Sequence, residues 1–350
     1  MARKKGETVS APSLRVAHVI AGAAMGGAEL FFERLCLAEH AAGDAVLPVI
    51  KRDAPRAARL EAGGLAPVQL DFGHIIDFWT KPRLACHLRR FAPRVVVSWM
   101  SRASTHTPRG DYVLLGRLGG FYNLAHFRHC DHLIGNTRGL VAWMRARGWP
   151  VERTHYLPNF VADQAGGAPA AEFVGPGALL LGLGRLHTEK GFDVLLRALP
   201  TLPGARLVLA GDGPERAALT RLAGELGIAG RVVFAGWRQD IAALLAAADV
   251  LVCPSRCEPL GNVILEAWSA ARPVVASAVE GPSELIEDGV DGVLFPSENP
   301  DALARALATL LAAPERARAM AAAGRQHFLA HFAEAAVLRQ WRDFLTTVER

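Results

Sequence analysis

The stretch "CEPLGNVILEAWSAARPVVAS", Cys257 to Ser277, sets Glu258 and Glu266 eight positions apart on either side of a Gly-Asn step. In a second stretch, "LLLGLGRLHTEKGFDVLLRAL", an apolar run ends in Gly182-Leu183-Gly184, followed by Arg185 and, five positions on, by Lys190 and Gly191. Glycines at a strand end let a ligand approach the backbone, and an Arg with a Lys can hold a diphosphate. A helix is expected to open near Gly261-Asn262, with Asn262 as its N-cap. Glu258 then lies in the preceding loop, and Glu266 about one turn inside the helix, facing back toward its start. The carboxylates bracket the positive end of one helix, where the backbone N–H groups of Gly261, Asn262 and Val263 can face an anion. Each carboxylate can accept bonds from hydroxyls beside that anion. Hydroxyls, a diphosphate and more hydroxyls describe a nucleotide-sugar. The alternative reading of the second stretch is a strand end with two exposed basic residues. It is not a dinucleotide fingerprint, because "GLGRLH" lacks the third glycine, and no G-x-x-x-x-G-K-[ST] loop occurs anywhere.

Elements able to hold such groups alternate along the whole chain. In the first half the strand candidates are "LRVAHVI", "AVLPVIK", "PVQLDF", "RVVVSWM", "YVLLGRL", "DHLIGN" and "THYLPN", separated by helical runs such as "AELFFERLCLAEHAA" and "RGLVAWMRARG". In the second half "ALLLGLG", "ARLVLAG", "VVFAG", "DVLVCPS", "PVVAS" and "GVLFP" alternate with helices in the same way. Near-continuous apolar strands between helices indicate parallel sheets covered on both faces. The expected fold is α/β, with two doubly wound, Rossmann-like domains facing each other across a cleft, which suits a chain of 350 residues. The Ala-, Gly- and Pro-rich stretch "VADQAGGAPAAEFVGPG" (161–177) reads as the join. The expected division is a first domain over 1–165, a second over 166–330, and a helix over 331–350 that packs back on the first. Phe328, Phe332, Trp341 and Phe344 give the tail an aromatic packing stripe. Open α/β sheets bind ligands at strand C-terminal ends, and the motifs fall in loops that follow strands.

Composition narrows the classes. Half of the residues are apolar (51%), yet no run approaches the ~20 uninterrupted apolar residues of a membrane span. The start has the basic flank of a signal peptide, but its apolar segment runs on into a strand, a glycine turn and a helix. The expected location is the cytoplasm, with peripheral contact at the inner face of a membrane left open. Five scattered cysteines, Cys36, Cys86, Cys130, Cys253 and Cys257, read as reduced core residues rather than a disulfide framework. Residues 1–158 hold 22 Lys and Arg against 12 Asp and Glu, a net of +10, whereas residues 159–350 hold 17 against 22, a net of −5. The basic half suggests an anionic partner, with a soluble Arg-rich surface as the alternative. No recognition motif supports nucleic-acid binding.

Taken together, Gly182 to Phe295 resembles the donor half of a family 4 (GT4-type) retaining glycosyltransferase with the GT-B fold. Glu258 and Glu266 match its Glu-x7-Glu motif, and Arg185 and Lys190 its "G-R-L-x-x-x-K-G" segment. "GPSELIEDGVDGVLF", with Glu284, Gly289 and Gly292, is similar to its "G-x-x-E-x-I-x-D-G-x-x-G" tail. Earlier in the chain, Gly26-Gly27-Ala28-Glu29 resembles the first-strand glycine loop, and "YLPNFVAD" the exit of the first domain. The resemblance implies that Arg185 and Lys190 bind the donor diphosphate and stabilise its departure. It implies that Glu258 holds sugar hydroxyls and Glu266 ribose hydroxyls. The helix start (Gly261, Asn262, Val263) and Gly184 would meet the phosphates, while Gly26 and Gly27 would close on donor or acceptor. A leaving nucleoside diphosphate needs either a metal ion or fixed cations. No two aspartates stand two residues apart, so no Asp-x-Asp is present, and neither metal nor cofactor is expected.

The family often has a histidine after the fourth strand of the first domain. Here Trp99, Met100 and Ser101 stand in its place, His106 is the nearest histidine, and Arg102 is a polar substitute. Ala271-Arg272 replaces a favoured glycine, an exchange expected to affect packing only. "GRLGGFY" (116–122) reads as a strand-end loop from which Arg117 can contact an anionic acceptor. His126, His129, Cys130 and His132 could form a metal site, but no second ligand cluster exists and aromatic–basic packing is the favoured reading. The partners implied are a nucleotide-sugar and a glycan or lipid-linked acceptor in envelope polysaccharide assembly. Rival readings are a sugar-nucleotide epimerase or phosphorylase on the same fold, and a non-catalytic GT-B binding protein.

Overall fold

The computed structural model describes residues 13–24, 26–73 and 77–348. The chain forms two compact units: one holds residues up to Ile134, Gly148–His155 and Leu338 onward, and the other Gly135–Arg147 and Tyr156–Val337. In chain order the first elements are β1 (Arg15–Ile20), α1 (Gly27–Ala41), β2 (Ala45–Lys51), α2 (Ala54–Ala62), β3 (Val68–Leu70), α3 (Thr80–Phe91), β4 (Val95–Trp99), α4 (Met100–His106), β5 (Val113–Leu118), β6 (His132–Gly135), α5 (Arg138–Ala146) and β7 (Thr154–Tyr156). They are followed by β8 (Leu179–Leu183), α6 (Phe192–Ala198), β9 (Arg206–Ala210), α7 (Arg216–Glu225), β10 (Val232–Gly236), α8 (Ile241–Ala247), β11 (Val250–Cys253), α9 (Asn262–Ser269), β12 (Val274–Ser277), α10 (Glu280–Leu285), β13 (Val293–Phe295), α11 (Pro300–Leu311), α12 (Pro314–His331) and α13 (Glu334–Val348).

The strands form two sheets, ordered β3-β2-β1-β4-β5-β6-β7 and β10-β9-β8-β11-β12-β13. β1 pairs in parallel with β2 and β4, and β8 in parallel with β9 and β11. Strand order reverses between β1 and β4 in one sheet and between β8 and β11 in the other. At such a switch point the loops splay apart and leave room for a ligand. Burial on both faces explains the apolar runs: every residue of β4 and of β8 is buried. In the second sheet Leu181, Leu183, Val208 and Leu251 join one core cluster. Their sequence neighbours Leu180, Leu207, Leu209 and Val252 join the other, as the two-residue period of a strand requires.

The stretch 161–177 packs into the second unit, where Val161, Ala170 and Phe173 are buried and the Ala170 N–H donates to the Ala243 carbonyl at 3.0 Å. Its Ala, Gly and Pro content gives close packing as well as turns. Two sequence expectations are altered. Of the five cysteines, Cys86 and Cys257 are exposed rather than core residues. The exchange at Ala271 changes backbone conformation, not packing alone. Ala271 takes φ 51°, and α9 closes with Arg272 N–H on Ala267 O (2.9 Å) and Ala271 N–H on Trp268 O (3.0 Å). That pair of bonds is a Schellman closure, in which glycine is the favoured left-handed residue.

In the first unit the end of α13 completes the core. Trp341 is fully buried and stacks on Trp99 with ring centroids 6.5 Å apart and planes 3° apart. Arg342 pairs with the buried Asp44 at 3.0 Å.

Candidate functional site

In the second unit, Gly184, Arg185 and Lys190 follow β8, and Glu258, Gly261, Asn262, Val263 and Glu266 follow β11, the two strands at the switch point. Lys190 Nζ lies 2.5 Å from Glu258 Oε2, with side chains 27% and 10% exposed. Ser255 Oγ donates to the same carboxylate oxygen at 3.2 Å. Burial alone would lower the pKa of the Lys190 ammonium, but the adjoining Glu258 carboxylate outweighs that and raises it. The neighbouring Cys253 thiol is pushed up to about 11, first by burial and then by Glu258. Lys190 is therefore a cation held at the end of the sheet.

The loop carrying Lys190 is clamped. The Arg256 guanidinium grips Asp193 with two 2.8 Å bonds, reaches the Thr188 carbonyl at 2.8 Å and pairs with Glu298 at 2.9 Å. The Arg256 N–H donates to Glu189 O at 2.7 Å. Gly191 must be glycine on two counts: its φ is 63°, and an added Cβ would stand 2.0 Å from the Pro254 carbonyl oxygen. Arg185 is exposed, and its guanidinium has no partner among the described residues, which leaves it available to a ligand.

α9 opens on Gly261, in the left-handed region at φ 99°, with no side-chain cap. The expected cap, Asn262, is instead the first helical residue, and its Oδ1 accepts from Asn159 Nδ2 at 3.2 Å. Glycine wins the cap because the chain must turn sharply out of the Glu258 loop. The first-turn N–H groups, including those of Asn262 and Val263, therefore remain directed outward. Glu266 is half-buried inside α9. Glu284, from the tail motif, accepts the backbone N–H groups of Arg138 (2.5 Å) and Gly139 (2.9 Å) at the start of α5.

In the first unit, Gly26 caps the start of α1 and Gly27 is its first residue. The buried Glu29 carboxylate accepts the Ala23 N–H at 2.8 Å, and a Cβ on Gly26 would stand 2.3 Å from its Oε2. Arg102 and His106 lie on α4. His106, the last residue of α4, is half-buried, with Nδ1 2.9 Å from the Arg102 carbonyl and Nε2 4.0 Å from Asp77. Arg117 is corrected outright. It belongs to β5, is wholly buried, and lies against both the Trp99 ring (4.4 Å) and the Phe31 ring (4.9 Å). Burial lowers its pKa to about 9, with the Tyr122 hydroxyl opposing. An arginine wholly buried against two rings does not reach an acceptor.

In the histidine-rich segment His129 Nε2 sits 3.2 Å from the Thr107 carbonyl and His132 Nδ1 3.1 Å from His155 Nε2. Among the described residues no three His, Cys, Asp or Glu side chains converge as a metal site requires. Two residues were missed from sequence. Met100, where the family histidine was sought, takes φ 62°, a strained conformation of the kind found at functional sites. Arg56 is buried on α2 and donates to the carbonyls of Ala23 (2.8 Å) and Ala24 (3.0 Å) while pairing with Glu33 at 2.9 Å. An arginine in a polar-looking helix gives no sequence signal of such a role.

The sequence profile described as Glycosyl transferases group 1 matches residues 177–313, the stretch that holds Lys190, Glu258 and α9. Over 335 residues the chain is 33% identical to a lipopolysaccharide core biosynthesis glycosyltransferase, LpsE of Rhizobium meliloti (strain 1021), covering 92% of this chain and 96% of that one. The chain belongs to the group 1 glycosyltransferases. LpsD of the same organism, also described as a lipopolysaccharide core biosynthesis glycosyltransferase, is 32% identical over 94% of this glycosyltransferase and 97% of its own length. Among solved structures, Anabaena HepE in complex with UDP and glucose superposes with a TM-score of 0.82 at 20% identity, over 96% of this chain and 100% of that one. That likeness fixes the fold: two Rossmann-like parallel-sheet domains of the GT-B type. Among the described residues, no helix is long and apolar enough to cross a membrane.

Proposed function

We propose that this glycosyltransferase moves a sugar from a nucleotide-sugar to a glycan or lipid-linked acceptor of the cell envelope, with retention at the anomeric carbon and without a metal ion. The observation that supports it most is the Lys190–Glu258 pair at 2.5 Å, held where β8 and β11 part. In this reading the anomeric carbon loses its bond to the β-phosphate oxygen, and the bonding electrons stay on the diphosphate. Lys190 and Arg185, aided by the open start of α9, stabilise the charge that develops there. The acceptor oxygen attacks from the same face, and the departing phosphate oxygen takes its proton. Glu258 holds sugar hydroxyls and Glu266 ribose hydroxyls. The names of the R. meliloti relatives support an envelope acceptor, and the UDP and glucose bound to HepE support the donor class. A lipid-linked acceptor would be met at an anionic surface, which suits the net +10 of residues 1–158.

A non-catalytic binding role has one observation in its favour, the absence of a histidine at Trp99–Ser101. The test offers UDP-, GDP- and ADP-sugars in turn, with a deacylated core oligosaccharide, and follows released nucleoside diphosphate with and without EDTA. Transfer that survives EDTA with one donor class is expected. No release with any donor would overturn the proposal, and loss in EDTA would overturn its metal-free part. For Glu258→Ala, nucleotide-sugar affinity should fall more than nucleoside diphosphate affinity. Equal losses in calorimetry would refute the sugar-hydroxyl role.

A further inference from the structure

Phe78 and Trp79, 76% and 69% exposed, are the most exposed large apolar side chains among the described residues. They stand together where α3 begins, and Trp79 already has helical backbone angles. A rotation of about 100° per residue therefore places Trp79, Arg83, Cys86 and Arg90 on one stripe, at steps of four, three and four. The opposite face buries Thr80, Leu84 and Leu88. Lys81, Arg83, His87, Arg89 and Arg90 are all exposed, and the helix contains no acidic residue. Two nearby acids offset this charge only in part. Asp77 turns its carboxylate inward onto the N–H groups of Gly73 and Thr80. Asp71 is engaged by Arg52 at 2.5 Å and by Arg83 at 3.8 Å.

We infer that the outer face of α3 docks this glycosyltransferase on an anionic lipid bilayer, with Phe78 and Trp79 entering the headgroup–acyl boundary and Arg83 and Arg90 meeting lipid phosphates. Aromatic rings prefer that boundary, and basic side chains bury their stems there while keeping the charge in contact with headgroups. Each Lys or Arg adds attraction to an anionic leaflet. Two aromatics so exposed protrude, so the partner must accept them into its own interior. A bilayer does so anywhere on its surface, whereas an acidic protein needs a matching pocket. An element this small gives reversible attachment. The inference rests on the reading of a membrane-borne acceptor, and it names the surface that brings the enzyme there.

The test is co-sedimentation of the full chain with phosphatidylcholine vesicles and with vesicles containing about a third phosphatidylglycerol. Binding is expected only to the anionic vesicles and should weaken with salt. Phe78→Ala/Trp79→Ala and Arg83→Glu/Arg90→Glu should each lower partition about tenfold or more. The thermal shift given by the preferred nucleoside diphosphate should stay unchanged, which shows the variants folded and keeps this result separate from the donor assignment. Wild-type partition by both variants, or no binding by the parent chain, would overturn the inference. So would concentration-dependent dimers abolished by the aromatic variant, which would make the face a contact between copies.

Discussion

At the residue scale the site turns on Lys190. Its ammonium is held protonated by Glu258, so the pair's contribution to stability is complete below the ordinary lysine value. That contribution is lost only as pH rises through the raised folded value. Transfer rate should therefore show no alkaline limb from Lys190 between about pH 6 and 9. Lys190→Ala should cut turnover by about 10²–10³-fold, the range for losing one charge-stabilising donor, with circular dichroism unchanged. A tenfold loss or less in single-turnover assays would remove Lys190 from the leaving-group role. The placing of Lys190 and Glu258 after strands was legible, because glycine and charge spacing near strand ends reflect local backbone geometry, but their direct pairing was not. The Arg117 expectation failed for the opposite reason: Phe31, Trp99 and Arg117 are far apart in sequence and meet only through the sheet, so no spacing announces the ring–guanidinium stack.

At the element scale, all thirteen apolar runs taken as strands are strands. The inner strands β4, β5, β8, β11 and β12 are short, continuous and buried throughout, so local pattern and tertiary demand agree there, whereas edge strand β10 has no fully buried residue. Helix ends were less legible, because a cap depends on the direction in which the chain arrives. Asn262 has the chemistry of a cap, but Gly261 has the conformation. The close of α9 makes a quantitative case. A left-handed alanine costs about 1–2 kcal/mol, and glycine returns about 0.4–1 kcal/mol of that through the unfolded chain. Ala271→Gly should thus stabilise by roughly 0.5–1 kcal/mol in urea unfolding, and a loss of stability would show the strain is absent. The start of α3 makes a second case. The Asp77 carboxylate takes bonds from the Thr80 hydroxyl and from the N–H groups of Thr80, Gly73 and Trp79, which outweigh its burial and lower its pKa to about 2. Its contribution is present above the ordinary aspartate value and is lost as pH falls toward about 2. Asp77→Asn should therefore lower Tm most near pH 5 and 6, with the gap to wild type closing by about pH 2. A gap independent of pH would assign the loss to shape instead.

At the scale of the whole molecule, each unit is assembled from separated pieces of chain. Residues from Leu338 onward return to the first unit, where Trp341 and Leu345 are fully buried. The expected tail helix was legible from its aromatic stripe, but its partner Trp99 was not. Trp341→Ala should cost about 3–5 kcal/mol, the range for emptying a buried tryptophan site, and should appear as a lower-melting transition in calorimetry. The same arrangement sets a timetable during synthesis. The sheet built from Arg15 to Tyr156 has been translated for about 180 residues before its covering tryptophan emerges, a delay on the order of ten seconds or more at usual elongation rates. Through that interval the ribosome carries an unfinished hydrophobic face, so nascent chains stalled before residue 338 should remain protease-sensitive over the first unit and recruit holdase chaperones. Release of the completed polypeptide should end both.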